Sequence, residues 1–378
     1  MKRRSKQITN TDYKTRIYTA YYITISAVLL VSIFPEYRFW GFNQWAYFPP
    51  VWRILLISLG LLLPPIGSFL FGGKGKSLID GLNGYLERKH NYLKLSVLII
   101  TLMSVGFYFL RAKTHFLGDG YMNLRSLASA KPLIKDSAFG ETKAHIWVKS
   151  LLGGNDEATA LLSFQIISIM SGVILVMAVL LLARKLFEKR LDSLLFSLGI
   201  ISGGYMLLFF GYVEYYSLFV LSLTIYSLAG LLIVNGKLNK WFAIPLFLPS
   251  IFFHILGITL LPSTLFLLFS DTRLDKLIHS LSKKTKLLVS IVGGIALLSI
   301  FIYFYLNSYR FRFAFVPILP DRFTVEGYTL FSIKHIADFL NLLFLLIPGL
   351  LVFLIITPKI SLKENFCQKL LFLLLFFP

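Results

Sequence analysis

Asp119 sits between two glycines in THFLGDGYMNLR (114–125), directly after an apolar run. An acid flanked by glycine combines a proton acceptor with backbone that a substrate can approach closely. The same residue can equally be solvated, or can cap the short helix that Tyr121, Leu124 and Leu127 or Ala128 predict. Glu214 is a second unusual acid. FFGYVEYYSLF (209–219) reads as an apolar helix with a carboxylate one turn in from its start. An ionised carboxylate in hydrocarbon costs about 2.5 kcal/mol or more, so it must face a cavity, pair, or lie at the membrane edge. Tyr212, Tyr215 and Tyr216 beside it suit an interfacial aromatic belt, or stacking on sugar rings.

Other residues join these two. Glu141 and His145 lie in ETKAHIWVKSLLG (141–153), where Ile146, Trp147, Leu151 and Leu152 oppose Lys143, Lys149 and Ser150. That pattern predicts a helix lying in the membrane interface. His254, in FFHILGITLLPS, is a lone imidazole in apolar surroundings, read either as structural or as part of a site. Arg310 and Arg312 stand in SYRFRFAFVPILPDRFTVEGY. Guanidinium groups there serve either as interface anchors or as bidentate ligands for a lipid phosphate. FSIKHIADFLN spaces Ser332, His335 and Asp338 by three, but such steps on one helix drift by about 60° each, so no catalytic triad forms. Ser332 reads as an N-cap. No P-loop, dinucleotide fingerprint, G-x-S-x-G elbow or H-E-x-x-H occurs, so chemistry driven by cytoplasmic ATP has no support. Gly199 and Gly203 form a G-x-x-x-G pair that reads as helix packing.

The elements that must position these residues are membrane helices. The chain of 378 residues is 56% hydrophobic and 15% charged, too apolar for a soluble domain of this size. Continuous runs argue against the alternating strands of a barrel. The net charge of +20 does not indicate nucleic acid, because the cations cluster in short segments between apolar runs, as the positive-inside rule expects. Cys367 is the lone cysteine, so no internal disulfide forms. The basic arm MKRRSKQITNTDYKTR lacks a cleavage site after the next run and places the N-terminus in the cytoplasm.

Spans are expected at about 17–34, 52–71, 94–110, 161–183, 193–210, 213–234, 287–306 and 339–357. A last run from about 366 ends at FLLLFFP before it crosses, and the sequence reads as a fragment. Basic segments flank 242–269, which therefore crosses an even number of times. Pro245, Pro249 and Pro262 break it into two short helices that turn near His254; each reaches roughly 18–22 Å against a core of ~30 Å. The fold class expected is all-α, a polytopic helical membrane protein of about ten membrane helices, two of them short, plus the incomplete last one. Its regions are 1–93 (basic arm and two spans), 94–357 (a core carrying the outer loop 111–160), and 358–378 (a cytoplasmic loop and the incomplete span). The outer face then gathers loop 111–160, the turn 211–216, loop 307–337 and His254.

FLGDGYMNLR after a cytoplasm-to-outside span, with interfacial helices in the same loop, resembles the GT-C-fold integral membrane glycosyltransferases. FFGYVEYYSLF, FHILGITLLPS and YTLFSIKHIADFLNLLFLLIPG are similar to stretches of an uncharacterised bacterial branch of that group, so the resemblance covers about 94–357. It implies a polyprenyl-phosphate-linked sugar donor, and a glycan, lipid or protein acceptor that the sequence does not identify. It also implies an active site facing the periplasm or exterior of the inner (plasma) membrane, and Asp119 as general base. Here two spans precede that acid rather than one, and no second acid adjoins it. Some members use a divalent metal and others none, so a metal stays open and no cofactor is indicated. The catalytic candidates are Asp119 and Glu214; the candidates for binding substrate are Glu141, His145, Tyr215, Tyr216, His254, Arg310 and Arg312. Two other classes stand beside this one. They are a transporter or flippase of a lipid-linked or polar substrate, and a non-catalytic membrane subunit whose loops dock a partner.

Overall fold

In hydrocarbon, backbone N–H and C=O groups find no water, so apolar runs of this length must close their hydrogen bonds internally as helices. The computed structural model is helical, with no strand among the described residues. It describes residues 10–37, 39–71, 73–115, 118–269, 282–307, 318 and 327–347. The helices run in order α1 (Asn10–Ser32), α2 (Pro50–Phe71), α3 (Gly73–Glu87), α4 (Lys89–Phe109), α5 (Gly120–Ala128), α6 (Phe139–Leu152), α7 (Glu157–Leu186) and α8 (Arg190–Ile201). Next come α9 (Ser217–Val234), α10 (Ala243–Phe253), α11 (Leu261–Phe269) and two further helices, Lys283–Asn307 and Ile333–Leu346.

Among the described residues, four helices are long and apolar enough to cross a membrane: Pro50–Ser68, Lys89–Phe109, Glu157–Leu186 and Ser217–Val234. They divide by environment. Half of the apolar window of α7 and of α9 is buried within the protein, against 11% for α2 and α4. Leu98, Leu102 and Phe109 on α4 are exposed, an arrangement that suits a lipid solvent, where apolar surface carries no penalty. α1 lies over the expected span 17–34, but its threonines and tyrosines leave it outside those four. The expected span 339–357 is helical to Leu346, and its remainder falls outside the described residues.

Contacts divide the chain into two compact units, residues 1–76 with 275–360, and residues 77–274 with 361–378. In the first unit, the Tyr21 hydroxyl donates to the Gly60 carbonyl at 2.8 Å and ties α1 to α2. Asp338 accepts from Trp40 Nε1 and from the Tyr328 hydroxyl, each at 3.0 Å. His335 instead places Nδ1 2.8 Å from the Leu330 carbonyl, and Ser332 caps its helix by accepting the His335 N–H at 3.2 Å. Ser332, His335 and Asp338 thus face three different partners, as their spacing predicts.

The second unit is built around α7. Asp156 starts it by accepting the Thr159 N–H at 2.7 Å, and Arg184 and Lys185 complement its C-terminal dipole. Its buried residues Ala160, Phe164, Ile167, Ser171, Leu175, Val179 and Ala183 recur at three- and four-residue steps and form one seam. α4, α5, α6, α8 and α9 all pack on α7. Gly172 permits the closest approach: a Cβ there would meet the Phe209 Cβ at 2.5 Å and the Phe107 ring at 2.8 Å.

One expected span is broken and another starts later than expected. The run 193–210 is not one helix. α8 stops at Ile201, Gly203 is extended, and a 3-10 segment Gly204–Phe209 follows, with the Tyr205 hydroxyl bonded back to the Ile200 carbonyl at 2.7 Å. Nothing lies within 4 Å of a Cβ at Gly199, so the G-x-x-x-G pair packs no helix here. The run 213–234 becomes helical only at Ser217, because Gly211 turns at φ +68° and Glu214 is drawn sideways by hydrogen bonds to α5. The segment 242–269 does fold as two short helices. α10 ends at His254, Gly257 crosses tightly against the Ser250 backbone, and α11 begins at Leu261. The buried Tyr226 hydroxyl of α9 holds this pair through Ser263 and Thr264, each at 2.8 Å.

Gly172→Val is expected to cost about 1–3 kcal/mol through overpacking against Phe107 and Phe209. Gly199→Ala, in open space, should be neutral or gain up to about 1 kcal/mol of helix propensity. Thermal melts of the detergent-solubilised protein separate the two, and equal melting points would contradict the packing described for α7.

Candidate active site

The chain leaves α4 and re-enters helix at Gly120. Gly118 adopts φ +68°, and a Cβ at that position would run into Glu214 Oε1. The positive φ therefore favours glycine, and an added side chain would displace the Glu214 carboxylate. Gly120 is equally confined, its Cβ position filled by the His115 carbonyl. Between them Asp119 occupies the N-cap position of α5, yet its side chain accepts no capping bond. Its Oδ2 lies 3.2 Å from Lys135 Nζ, with the two side chains 60% and 39% exposed. The capping reading of Asp119 is thus not realised, and its carboxylate points to solvent beside an ammonium group.

Glu214 joins this loop from the turn before α9. Its Oε1 accepts the Asp119 N–H at 3.1 Å, and its Oε2 accepts from Asn123 Nδ2 at 3.3 Å. Neighbouring residues fix the turn. Val213 and Tyr215 are buried against Leu124, Leu127, Ala160 and Phe164, so the backbone on either side of Glu214 is anchored in the α5–α7 core. Burial raises the Glu214 carboxyl above its usual range. The Asp119 N–H bond opposes that shift, the Asp119 charge adds to it, and the Lys135 charge also opposes it.

Tyr215, Tyr216 and His254 complete the neighbourhood. The Lys135 ammonium lies 5.4 Å from the centre of the Tyr215 ring. Tyr216 is partly exposed, and its ring centre lies 4.9 Å from that of His254, which also meets Phe219 at 5.3 Å. His254 Nδ1 accepts the Leu256 N–H at 3.2 Å, which leaves its proton on Nε2. Burial first, and the Lys135 charge second, hold this imidazole below its usual range. Lys135 therefore bears on Asp119, Glu214, Tyr215 and His254 together. Sequence reading missed it because it is one of several lysines in loop 111–160, and only folding selects the one that meets the acid. Asn123 and the buried His115, whose ring abuts Tyr121 and Tyr212, were missed for the same reason.

Glu141 and His145, grouped with the outer acids on sequence, are buried behind Tyr215, whose ring centre lies 5.3 Å from that of His145. They are 0% and 1% exposed. Glu141 Oε1 accepts the Phe219 N–H at 2.8 Å, and the Leu218 N–H also bonds to this carboxyl, so it caps α9 from a different helix. Lys149, expected on the outer polar face, is buried instead and donates to the Leu127 and Ser129 carbonyls at 2.7 and 3.0 Å, closing the C-terminus of α5. α6 thus turns Glu141, His145 and Lys149 inward, while Trp147, Leu151 and Leu152 are exposed. Burial pushes Glu141 up to about 8 and His145 down to about 3. Both are therefore uncharged at neutral pH, although their side chains come within 3.8 Å.

Arg310 and Arg312 lie outside the described residues. Among the described residues no group of three or more His, Cys, Asp or Glu is placed to hold a metal ion. No family model, curated protein or solved structure matches this chain.

The buried pair gives opposite pH slopes. Glu141 binds its proton more tightly when folded, so its contribution is full below its ordinary 4.5 and is lost as pH rises to about 8. His145 contributes fully above its ordinary 6.5, and that is lost as pH falls towards about 3. Between 6.5 and 8 only Glu141 acts, so the wild-type melting temperature should fall across that window by roughly a few degrees. Glu141→Gln should lack that fall. A parallel decline in the variant, followed by thermal melts, would remove Glu141 as its cause.

Proposed function

We propose that this chain is a membrane glycosyltransferase of the GT-C kind, moving a sugar from a polyprenyl-phosphate donor to a glycan, lipid or protein acceptor at the outer membrane face. The observation that carries the reading is the meeting of Asp119 with Glu214, which lie 95 residues apart, on the strand-free helical scaffold such chemistry would use. Asp119 is exposed, glycine-flanked and oriented by its backbone, as a base that must meet an incoming hydroxyl requires. In the reaction, Asp119 takes the acceptor O–H proton while the acceptor oxygen bonds to the anomeric carbon. The bond from that carbon to the phosphate oxygen breaks, its electrons leave with the lipid phosphate, and the sugar inverts. Lys135 supplies positive charge beside this centre. A phosphate entering there competes with Asp119 for the ammonium group, and so releases the carboxylate for proton transfer. Tyr216, partly exposed beside His254, offers a ring face on which a sugar can stack.

On this reading the chain crosses the inner (plasma) membrane by about ten helices with its N-terminus in the cytoplasm, and the Asp119 loop faces the periplasm or exterior. The outward apolar residues of α6 then rest in the lipid interface. A divalent metal is not required by the step as written. A flippase or transporter is the second reading, favoured by the short pair α10 and α11, which matches the discontinuous helices of transporters. Substrate counterflow in vesicles without covalent product would select it.

Asp119→Asn should reduce the lipid-linked or glycan product by about 10²–10⁴-fold while leaving expression and membrane insertion intact. Mass spectrometry of glycans and lipid-linked sugars, from cells with and without the gene and with the variant, reads this out. Wild-type product levels in the variant would overturn the assignment.

A further inference from the structure

The Glu214 carboxyl is directed at the loop that carries Asp119 and not outward. Oε1 meets the Asp119 N–H at 3.1 Å, and Oε2 meets Asn123 Nδ2 at 3.3 Å. A Cβ at Gly118 would run into the same Oε1 and would have to push the Glu214 side chain aside. Asn123 is 1% exposed and its bond to Glu214 is partly buried, while the Asp119 bond lies at the surface. We infer that Glu214 is a positioning residue that clamps the Gly118–Asn123 loop and so aims Asp119, and that it takes no proton from substrate. The inference rests on the reading of Asp119 as base.

The chemistry distinguishes a clamp from a base. A base needs an ionisable oxygen, which glutamine lacks. A clamp needs only an acceptor for the Asp119 N–H and a polar partner for Asn123. In Glu214→Gln the amide oxygen keeps the first bond. The amide nitrogen then faces Asn123, whose Oδ1 is buried and has no hydrogen-bond partner among the described residues. Rotating the Asn123 amide by half a turn brings that oxygen to the new donor, since the two ends of an asparagine amide are nearly isosteric. Glu214→Ala removes both bonds. Gly118→Ala keeps the carboxylate but forces a methyl group into it, and opens the clamp from the other side.

The test uses the full chain in detergent micelles for hydrogen exchange by mass spectrometry over 118–123, and the cellular product assay for activity. The clamp predicts that Glu214→Gln keeps near wild-type protection and product within about tenfold. Glu214→Ala and Gly118→Ala should lose that protection and lower product by about 100-fold or more. If Glu214→Ala does not fold, Glu214→Gln still decides between a clamp and a base, because Gly118→Ala also strains a backbone at φ +68°. Wild-type protection in Glu214→Gln together with a product loss as deep as that of Asp119→Asn would overturn the inference, by making Glu214 act on substrate. Unchanged protection in Gly118→Ala and Glu214→Ala would overturn it as well. If Asp119→Asn retains full product, the transferase reading fails, and the exchange data alone still decide whether the clamp exists.

Discussion

The carboxyl of Glu214 bridges two segments 95 residues apart by accepting one backbone N–H and one side-chain amide. The local backbone is arranged around it. Gly118 gives up its side chain so that the oxygen can approach, and Val213 and Tyr215 bury themselves on either side to hold the turn. α9 starts late, at Ser217, because the residues before it are committed to this contact. The bridge adds a tie on the Asp119 N–H to the one its carbonyl already makes with the Asn123 N–H at 2.8 Å.

A second polar system supports the first from below. α6 carries Glu141 to the N-terminus of α9 and Lys149 to the C-terminus of α5, so each end of the dipole series meets a group of suitable polarity. These two helices flank the site, since α5 follows Asp119 and α9 follows Glu214. The caps fix the ends of both helices and so limit where the loop and turn can go. Burial of so many polar groups is tolerable because most find backbone partners; the His145 imidazole and Glu141 Oε2 have no hydrogen-bond partner among the described residues, and burial disfavours their charged forms.

The sequence made much of this legible. The helical class, the short pair at 242–269 and the short helix after Asp119 follow from run length, prolines and apolar spacing. Asp119 and Glu214 were conspicuous for opposite reasons, one by its glycines and the other by its apolar surroundings. What was hidden is relational. Nothing in the periodicity of 213–234 shows that its first residues leave the helix, because the force that draws Glu214 away comes from distant backbone. Lys135 and Asn123 are ordinary residues until folding brings them to the acids. α6 misled for a physical reason. Its pattern was readable, but Glu141 and Lys149 turn inward because backbone groups at the ends of α9 and α5 bind them, while Lys143 and Ser150 stay exposed beside Trp147 and Leu151.

The juxtaposition of the two segments is tested most directly by cross-linking next to the bridge without altering it. His115, before the loop, and Tyr212, in the turn, have ring centres 5.9 Å apart. With Cys367 replaced by serine, His115→Cys and Tyr212→Cys in one chain should be joined by a short bifunctional thiol reagent, protecting both thiols from later labelling. If both cysteines react singly with a maleimide and no cross-link forms, the segments do not meet, and the proposed chemistry loses its site.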